Sequence, residues 1–431
     1  MIDRSHNLWW ASADEHPTAP SLQGDDHRSD IVVIGAGLMG TTATQALAAA
    51  GADVTLIEAG RIGSGASSTP GGFVVPHFSV GNPLDIIERT GDVGERLVHA
   101  AGGSAAHLFD KIRMLGLQCD ARQDGWYQPA HSPGALANIE NIVRQWRDLG
   151  FAVSLLDAAQ TCRRTGVEGY RGSWFAPTGG TLHPLRYCRS IMDLATAQGA
   201  RLHENSPVVA IERQGSQYVV RTGKGSISAQ RILVCTNGLS SGITPRLASS
   251  IVPLGVWQCA TAPIPAEQRR HLFQGGEALS DTRQDLFTYR FDIEGRLITG
   301  ALDAFGISPE LQTKRMAKRL QQQLRLSERP AIPYLWFGTS SISAPRYPAT
   351  LVIDGGIVAA SSCNARGIAL SVVAGDSLAR YLLTGEQPPM PLLDAKPHSH
   401  TWLQRRLSRF YPHMAPILDR IEEWRDAVRR K

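Results

Sequence analysis

Four consecutive apolar residues, 31–34, precede a glycine-rich turn and an alanine-rich stretch that reaches Ala50. A short, continuous apolar run is typical of a strand that is buried on both faces of a parallel sheet. The alanine-rich stretch predicts a helix, and Gly51 is the residue type that commonly follows a helix end. Residues 53–58, D-V-T-L-I-E, form the next predicted strand. These positions predict a strand–helix–strand unit near the start of the chain.

The remaining pattern predicts helices and strands over most of the chain. Helical spacing covers 103–115, 135–149, 184–198, 309–326, 367–383 and 402–430. Strand-like runs cover 201–212, 217–222, 230–235, 251–262, 285–291, 296–302 and 350–360. The runs between 251 and 302 are long and alternating, which predicts a second, antiparallel sheet.

The order of these elements predicts an α/β fold in which one domain interrupts another, since 431 residues exceed one ordinary core. We expect a Rossmann-like nucleotide-binding domain from 29–80, 151–245 and 335–390. A substrate-binding domain with a large, mostly antiparallel sheet is expected from 81–150 and 246–334. Residues 1–28 are predicted to form an irregular arm that docks through Leu8, Trp9 and Trp10, and residues 391–431 a helical tail.

Composition and charge exclude several classes of protein. The hydrophobic fraction of 42% is that of a globular chain, and a net charge of +5 over this length gives little reason to expect nucleic-acid binding. No run of eighteen apolar residues exists, and the first residues lack the apolar core of a signal peptide. The cysteines are widely separated, which predicts no metal site, no disulfide framework and a cytoplasmic location: Cys119, Cys162, Cys188, Cys235, Cys259 and Cys363.

The turn after the first strand carries a dinucleotide-binding motif. Gly35, Gly37 and Gly40 form G-x-G-x-x-G between a predicted strand and helix. In this motif the glycines permit a tight turn, close approach of a pyrophosphate and close helix–strand packing. Glu58 ends the second strand, where a carboxylate can accept hydrogen bonds from a ribose diol. Glu58 therefore disfavours NADP despite the nearby Arg61.

A second Gly/Ser-rich run, G-S-G-A-S-S-T-P-G-G-F-V-V at 63–75, follows Glu58 after only four residues. NAD-dependent enzymes usually continue here into a further strand–helix unit. Small residues with accessible backbone amides can instead wrap a second phosphate or lie against a flat ring system, which favours FAD. A surface loop and an NAD-linked dehydrogenase are the alternatives.

Four segments together resemble the D-amino-acid oxidase-like superfamily of FAD-dependent amine and amino-acid oxidoreductases, and most closely its branch of γ-glutamylputrescine oxidoreductases. They are the arm H-N-L-W-W-A-S-A leading to D-I-V-V-I-G-A-G-L-M-G, the 63–73 loop, G-G-T-L-H-P with I-L-V-C-T-N-G, and N-A-R-G-I-A-L at 364–370. The resemblance implies an FAD-binding domain of the glutathione-reductase-like type. It also implies non-covalently bound FAD, because no cysteine stands where some relatives attach the flavin.

The resemblance also assigns cofactor contacts along the chain. The glycine motif would hold the pyrophosphate, the 63–73 loop would lie beside the isoalloxazine, and the start of the 367–383 helix would face the flavin N1/O2 edge. The implied cofactor-binding residues are Gly35, Ala36, Gly37, Leu38, Met39, Gly40, Glu58, Ala59, Arg61, Gly65, Ala66, Ser67, Ser68, Gly71, Gly72, Phe73, Val208, Thr236, Asn237, Gly238, Asn364, Arg366, Gly367, Ile368 and Ala369.

Two departures from the branch lie beside the expected flavin. Ser68-Thr69-Pro70 replaces the usual Gly-Arg-Asn, and Arg366 stands where many relatives have histidine. No catalytic triad or carboxylate pair is evident. The candidates for a catalytic or substrate-binding role are His77, Tyr289, Arg290 and Arg346, and since Tyr289 and Arg290 are adjacent on a strand, at most one of them faces a pocket.

The activity implied is oxidation of a C–N bond in an amine or amino acid, with hydride transfer to flavin N5 and hydrolysis of the resulting imine. The expected partners are a small amine or amino acid and either O₂ or another electron acceptor. A flavin-binding subunit that needs a partner for activity is a further alternative, because some relatives work within hetero-oligomers.

Overall fold

The computed structural model describes residues 6–79, 81–239, 242–304, 306–343, 346–361, 364–394 and 410–428. Its helices are α1 Leu8–Ser12, α2 Leu38–Ala49, α3 Pro83–Thr90, α4 Asp92–Leu115, α5 Pro133–Asp148, α6 Ala158–Thr165, α7 Pro184–Ala197, α8 Pro245–Ser249, α9 Ala266–Arg269, α10 Pro309–Leu324, α11 Gly367–Thr384 and α12 Tyr411–Val428. Short 3₁₀ turns cover Ala66–Ser68 and Asn237–Leu239.

The strands are β1 Gly24–Ile34, β2 Val54–Ile57, β3 Phe73–Val74, β4 Trp126–Pro129, β5 Ser154–Asp157, β6 Gly172–Ala176, β7 Gly180–Thr181, β8 Arg201–His203, β9 Val208–Gln214, β10 Gln217–Thr222, β11 Gly225–Val234, β12 Ile251–Pro263, β13 Ala278–Ser280, β14 Thr288–Phe291, β15 Arg296–Leu302, β16 Tyr334–Ser343, β17 Ala349–Asp354, β18 Ile357–Ser361 and β19 Leu392–Asp394. Within the described ranges, no helix is both long and apolar enough to cross a bilayer.

The first sheet has nine strands around a parallel centre. Its order is β19-β17-β18-β11-β1-β2-β8, and β10 pairs with β11 and β9 in antiparallel fashion. β1 runs parallel to both β2 and β11, and its last four residues are all buried. The apolar run 31–34 therefore lies where a strand covered on both faces is expected. Helix α2 packs against α7 and α11 on one side of this sheet.

The second sheet has eight strands in the order β16-β12-β15-β14-β13-β4-β6-β5. Every pair is antiparallel except β13 with β4. The predicted antiparallel strands between 251 and 302 all belong to it, which confirms that prediction. Strands β4, β5, β6 and β13 were not predicted, because runs of three to five residues carry too little alternation to be recognised.

Several predicted element bounds were wrong. The run 201–212 is two strands, β8 and β9, with a break at 204–207, and α4 begins at Asp92 rather than at residue 103. β1 begins at Gly24, seven residues before the apolar run, because its exposed polar half pairs with β11 at the sheet edge. The start of α4 was missed because Gly94, Gly102 and Gly103 lie within the helix and depress its propensity.

Sheet membership also differs from the predicted domain boundaries. β5 and β6 (within 151–176) and β16 (within 335–343) lie in the second sheet, although these residues were assigned to the nucleotide-binding domain. The pattern of a short strand indicates burial but not which sheet it joins, since pairing is decided by partners distant in the chain. The division into domains stays a prediction, and sheet membership favours moving these segments to the substrate-binding domain.

The structure describes most of the N-terminal arm but only parts of the C-terminal tail. The arm contains the short helix α1, and Leu8 and Trp9 are fully buried, which confirms that this arm docks. The predicted tail forms β19 and α12 where it is described, whereas residues 395–409 lie outside the described residues.

Two adjacent glycines of α4 offer a matched test of its packing. A Cβ on Gly102 would overlap the ring of Phe151, whereas a Cβ on Gly103 would meet nothing. We expect Gly102→Ala to lower the free energy of unfolding by about 1–3 kcal/mol through overpacking. Gly103→Ala should raise it by about 0.5–1 kcal/mol, since alanine is the better helix former. Urea denaturation of both variants measures this, and equal effects of the two would contradict the packing described.

Candidate active site

The glycine motif forms a tight turn between β1 and α2. Gly35 has a φ of +105°, and its N–H donates to the carbonyl oxygen of Ile57 at 2.8 Å. A Cβ on Gly40 would overlap the carbonyl oxygen of Gly35, so only glycine allows α2 to lie this close to the end of β1. Gly37 is the N-cap residue of α2 and has no side chain of its own with which to cap the helix. The N-terminus of α2 is thus a suitable site for an anion.

The second loop touches the same helix end. The hydroxyl of Ser67 accepts a hydrogen bond from the N–H of Leu38 at 3.0 Å, and a Cβ on Gly37 would lie only 2.7 Å from that hydroxyl oxygen. The predicted cofactor-binding residues of both loops are therefore neighbours in space, as are Met39, Gly65 and Ala66 beside them in the chain. Backbone amides and the Ser67 hydroxyl thus lie together at the N-terminus of α2.

Glu58 lies directly against the glycine turn. Its carboxylate oxygens accept hydrogen bonds from the N–H groups of Ala36 and Gly60, both at 2.8 Å. Burial raises the pKa of Glu58 above its ordinary value, although both backbone N–H groups favour the ionised form. A carboxylate has more acceptor sites than these two contacts use, so it can also accept from ribose hydroxyls.

The guanidinium of Arg61 forms an ion pair with Glu204. Its Nε lies 3.0 Å from a carboxylate oxygen of Glu204, and its terminal nitrogen donates to the carbonyl oxygen of His16 at 2.6 Å. The Glu204 side chain is fully buried. A guanidinium already neutralised by a buried carboxylate gives little attraction to a 2′-phosphate, which agrees with the prediction against NADP.

The far end of the predicted nucleotide site is also close to the glycine turn. The methyl group of Thr236 would lie 3.4 Å from a Cβ on Gly35. Asn237 has a φ of +46° and its side-chain oxygen accepts from the hydroxyl of Ser361 at 2.7 Å. Val208 begins β9, two residues after Ser206, whose N–H donates to the carbonyl oxygen of Glu58 at 2.9 Å. Residues 236–238 and 208 thus approach the turn from two sides.

Hydrogen bonds to three consecutive carbonyl groups hold the S-S-T-P stretch, residues 67–70, in place. The side-chain amide of Asn7 donates to the carbonyl oxygen of Ser68 at 2.9 Å, and the indole N–H of Trp9 to that of Pro70 at 2.8 Å. The indole N–H of Trp336 donates to the carbonyl oxygen of Thr69 at 2.9 Å. We call Asn7, Trp9 and Trp336 the carbonyl clamp. Since all three side chains are buried, the clamp fixes the loop backbone away from water.

Arg290 supports the same loop. Its guanidinium donates to the carbonyl oxygens of Gly72 at 2.8 Å and Leu182 at 3.0 Å, and it lies over the Trp9 ring at 5.6 Å. Burial lowers the pKa of Arg290 to about 10. Tyr289, on the opposite face of β14, lies in an apolar cluster, and burial raises the pKa of its hydroxyl. Arg290 therefore contacts the loop backbone, and it also lines a small crevice of about 30 Å³ beside His183.

The start of α11 has an unusual backbone. Asn364 and Ala365 both have positive φ values, 39° and 65°. The Asn364 side-chain oxygen accepts from the N–H of Ser343 at 2.9 Å, which ties this turn to β16, while no side chain caps the helix at Arg366. The amides of Gly367 and Ile368, followed by Ala369, begin an eighteen-residue helix. Such a helix end stabilises negative charge.

Arg366 and His77 form a buried pair beside this helix end. A terminal nitrogen of Arg366 lies 2.6 Å from His77 Nε2, and its guanidinium lies over the Trp126 ring at 5.1 Å. The His77 ring lies 4.1 Å from the Trp174 ring. Burial, with the charge of Arg366, holds the pKa of His77 well below its ordinary value. His77 is therefore neutral at physiological pH.

A cavity of about 420 Å³ opens next to this pair. Its wall combines aromatic rings and polar groups, including His77, Gln128, His131, Trp174, Arg366 and Glu422. Residues 128, 131 and 174 were not singled out from the sequence, because they lie on or after short strands that carry no motif. Arg346 is exposed, with a φ of 64°, and does not belong to the described lining of this cavity.

A family model described as DAO, FAD dependent oxidoreductase, matches residues 30–381, most of the chain. The chain belongs to this family. γ-Glutamylputrescine oxidoreductase of Escherichia coli K12 is 27% identical over 403 residues, which cover 92% of this chain and 93% of that protein. The probable oxidoreductase OrdL of Rhizobium meliloti is 26% identical and covers 91% of both chains.

Solved structures share the fold. Glycine oxidase of Geobacillus kaustophilus superposes with a TM-score of 0.71 at 20% identity, covering 84% of this chain and 96% of that one. L-Amino acid deaminase of Proteus vulgaris superposes with a TM-score of 0.72 at 17% identity, covering 90% and 99%. The predicted α/β fold, with a Rossmann-like FAD-binding part and mixed sheets, is confirmed.

The protein is thus an FAD-dependent oxidoreductase of the DAO family, which acts on amines or amino acids. This finding decides against the NAD-linked alternative. The residues present also fit FAD: the N-termini of α2 and α11, whose N-cap residues make no side-chain capping bond, suit the pyrophosphate and the flavin N1/O2 edge, and Glu58 suits the ribose. The buried amide nitrogen of Asn364 has no partner among the described residues, leaving one more donor at the second helix end.

The carbonyl clamp should control flavin binding. We expect Trp9→Phe and Trp336→Phe to raise the Kd for FAD roughly five- to thirtyfold, because each leaves a buried carbonyl without its donor, at a cost of about 1–2 kcal/mol. Fluorescence titration of the apoprotein with FAD measures this. Trp424→Phe, at an exposed tryptophan, is the control. Unchanged FAD affinity with a lower Tm would show that the clamp supports only the fold.

His183 should contribute to acid sensitivity. It caps α7 by accepting from the N–H of Arg186, and burial, assisted by Arg186 and Arg290, lowers its pKa from 6.5 to about 3. The neutral form is favoured in the folded state, so the stability it supports is complete above pH 6.5 and is lost as the pH falls toward 3. Asparagine also caps helices well. We expect wild type to lose about 1.4 kcal/mol per pH unit more than His183→Asn between pH 6 and 4.

Urea denaturation of both proteins at saturating FAD, repeated from pH 7 to pH 4, checks this expectation. Parallel pH dependences for the two would mean that His183 is not the titrating group.

Proposed function

We propose that the protein oxidises a C–N bond of an amine that also carries a carboxylate, and that the cavity beside Arg366 is its substrate site. The observation that carries this proposal is a partly buried guanidinium at the wall of a large cavity. No carboxylate in the described part of the chain pairs with Arg366. Burial lowers the pKa of Arg366 to about 9, so the group remains charged at neutral pH and gains strongly from an anion.

The position of Arg366 supports a site next to the flavin. Arg366 directly precedes the amides of Gly367 and Ile368, which suit the flavin N1/O2 edge, and it also lines the cavity. A carboxylate bound to this guanidinium in bidentate fashion would fix one end of a substrate close to the cofactor. Positioning of this kind is the main contribution that a protein makes to cofactor chemistry.

The size and lining of the cavity favour an extended substrate. A volume of about 420 Å³ would hold glycine, the smallest amino acid, with most of its space left to water. The rings of Trp174 and His77 give an apolar wall for a methylene chain or a face for a cation. The related Escherichia coli protein is named for γ-glutamylputrescine, an extended amine with a carboxylate at one end. We propose a substrate of this class.

Each residue then has a defined part in the reaction. Arg366 binds the carboxylate, Trp174 and Phe78 exclude water, and His77, held neutral, orients Arg366 through its ring nitrogen. FAD, when bound, would supply the two-electron oxidation of the C–N bond, and hydrolysis of the imine by water would complete the reaction. Neutral His77 also avoids adding a second positive charge beside the substrate amine.

Anaerobic reduction of the bound flavin by a panel of amines tests the proposal. We expect bleaching by a γ-glutamyl polyamine, and much weaker bleaching by the same polyamine without the glutamyl carboxylate and by glycine. Arg366→Leu should raise KM for the carboxylate-bearing amine by about 30- to 150-fold, since a hydrogen-bonded charge pair of this kind is worth about 2–3 kcal/mol. Gln128→Leu, a neutral change on the same wall, should affect both amines equally.

Three outcomes would contradict parts of this proposal. Equal bleaching by both polyamines in wild type would remove the role of the carboxylate. An equal loss for both amines in Arg366→Leu would mean that Arg366 acts on the flavin alone. Absence of bleaching by every amine would favour the alternative of a flavin-binding subunit that needs a partner.

A further inference from the structure

The last helix, α12, has an apolar face that no described residue covers. Its large exposed side chains recur at helical spacing along one side, and together we call them the α12 outer face: Phe410, just before the helix, and Tyr411, Met414, Ile417, Leu418, Ile421 and Trp424. Trp424 is 65% exposed and Phe410 61% exposed. Positions i, i+3, i+4 and i+7 lie on one side of a helix, so these side chains form a single continuous stripe.

The opposite face of α12 carries acidic residues and packs against the rest of the chain. The carboxylate of Asp419 accepts from the N–H groups of Gln284 at 3.0 Å and Asp285 at 3.4 Å. Glu422 accepts from the hydroxyl of Ser132, and Glu423 pairs with Arg283 at 3.1 Å. Ala415 is fully buried on this side. The helix is therefore held to the protein by its acidic face, and its apolar face is left outward.

The sequence around α12 carries more positive than negative charge. Residues 401–431 contain eight basic residues, Arg405, Arg406, Arg409, Arg420, Arg425, Arg429, Arg430 and Lys431, against the four acids Asp419, Glu422, Glu423 and Asp426. Three of those acids are used in the contacts just described. Arg420 is exposed beside the stripe. An apolar stripe with an excess of arginine and with aromatic residues is the composition of helices that lie in a membrane interface.

We propose that the α12 outer face binds the surface of a bilayer that contains anionic lipids, with the helix lying parallel to the membrane plane. Charge complementarity selects this occupant over the others. The side chains of the α12 outer face include no carboxylate, so a second copy packed stripe against stripe would add none from that face. Residues 395–409 of the chain itself contain Lys396 and three arginines but no acid. Anionic headgroups supply the missing negative charge, and the acyl region accepts the apolar stripe.

Co-sedimentation of the FAD-loaded, full-length protein with vesicles tests this proposal. One vesicle set is phosphatidylcholine alone and the other is phosphatidylcholine mixed with phosphatidylglycerol. We expect binding to the mixed vesicles at least tenfold stronger than to the neutral ones, weakening as salt is raised. The double variant Ile417→Asp/Ile421→Asp should lose at least tenfold of that binding, and Arg420→Glu should weaken it severalfold.

Leu311→Asp is the matched control, because Leu311 is 49% exposed on the basic helix α10 and Ile417 is 48% exposed on α12. It should leave vesicle binding unchanged. All variants should keep the flavin absorbance spectrum and the Tm of wild type, which shows that the fold is intact. None of these residues belongs to the cofactor site or the cavity.

Two results would overturn the proposal. The first is equal binding of wild type to neutral and anionic vesicles, or binding to neither. The second is a dimer in light scattering that the Ile417→Asp/Ile421→Asp variant converts to a monomer, which would assign the α12 outer face to a second copy of the chain.

Discussion

Close backbone contact at two glycines underlies the arrangement of the cofactor site. Gly40 brings α2 against the end of β1, where any Cβ would overlap the carbonyl oxygen of Gly35. Gly375 brings α11 against α2 in the same way, since a Cβ there would lie 2.6 Å from the carbonyl oxygen of Met39. Because α2 is held this close to β1 and α11 this close to α2, the N-termini of both helices are suited to one elongated, negatively charged cofactor.

The loop between these helix ends is held by hydrogen bonds to its backbone. The carbonyl clamp and Arg290 reach four carbonyl groups between Ser68 and Gly72 from three parts of the chain: the arm, β14 and β16. Each of those acceptors is a main-chain carbonyl, so the hydrogen bonds do not depend on which side chains Ser68, Thr69 and Pro70 carry. Arg366 adds a partly buried positive charge at the start of α11.

The C-terminal helix connects the cavity with the surface. Glu422 lines the cavity and accepts from Ser132, whereas Ile417 and Ile421, on the same helix, face outward. Because one helix contributes to both, the proposed substrate cavity and the proposed membrane contact lie on opposite sides of α12.

The sequence alone determined the features that depend on neighbours in the chain. The glycine spacing, the apolar run 31–34 and Glu58 predicted the nucleotide site, because tight turns and buried strands need those residue types at those positions. Tertiary structure alone decided which distant groups meet. Trp9 and Trp336 donate hydrogen bonds to the loop carbonyls, and Arg290 donates to the carbonyl of Gly72. His77 contacts Arg366 at the wall of the cavity. Tertiary structure also joined the short strands β4, β5 and β6 to the second sheet. Those contacts depend on sheet pairing and packing between segments far apart in the chain, and no local pattern of residues specifies them.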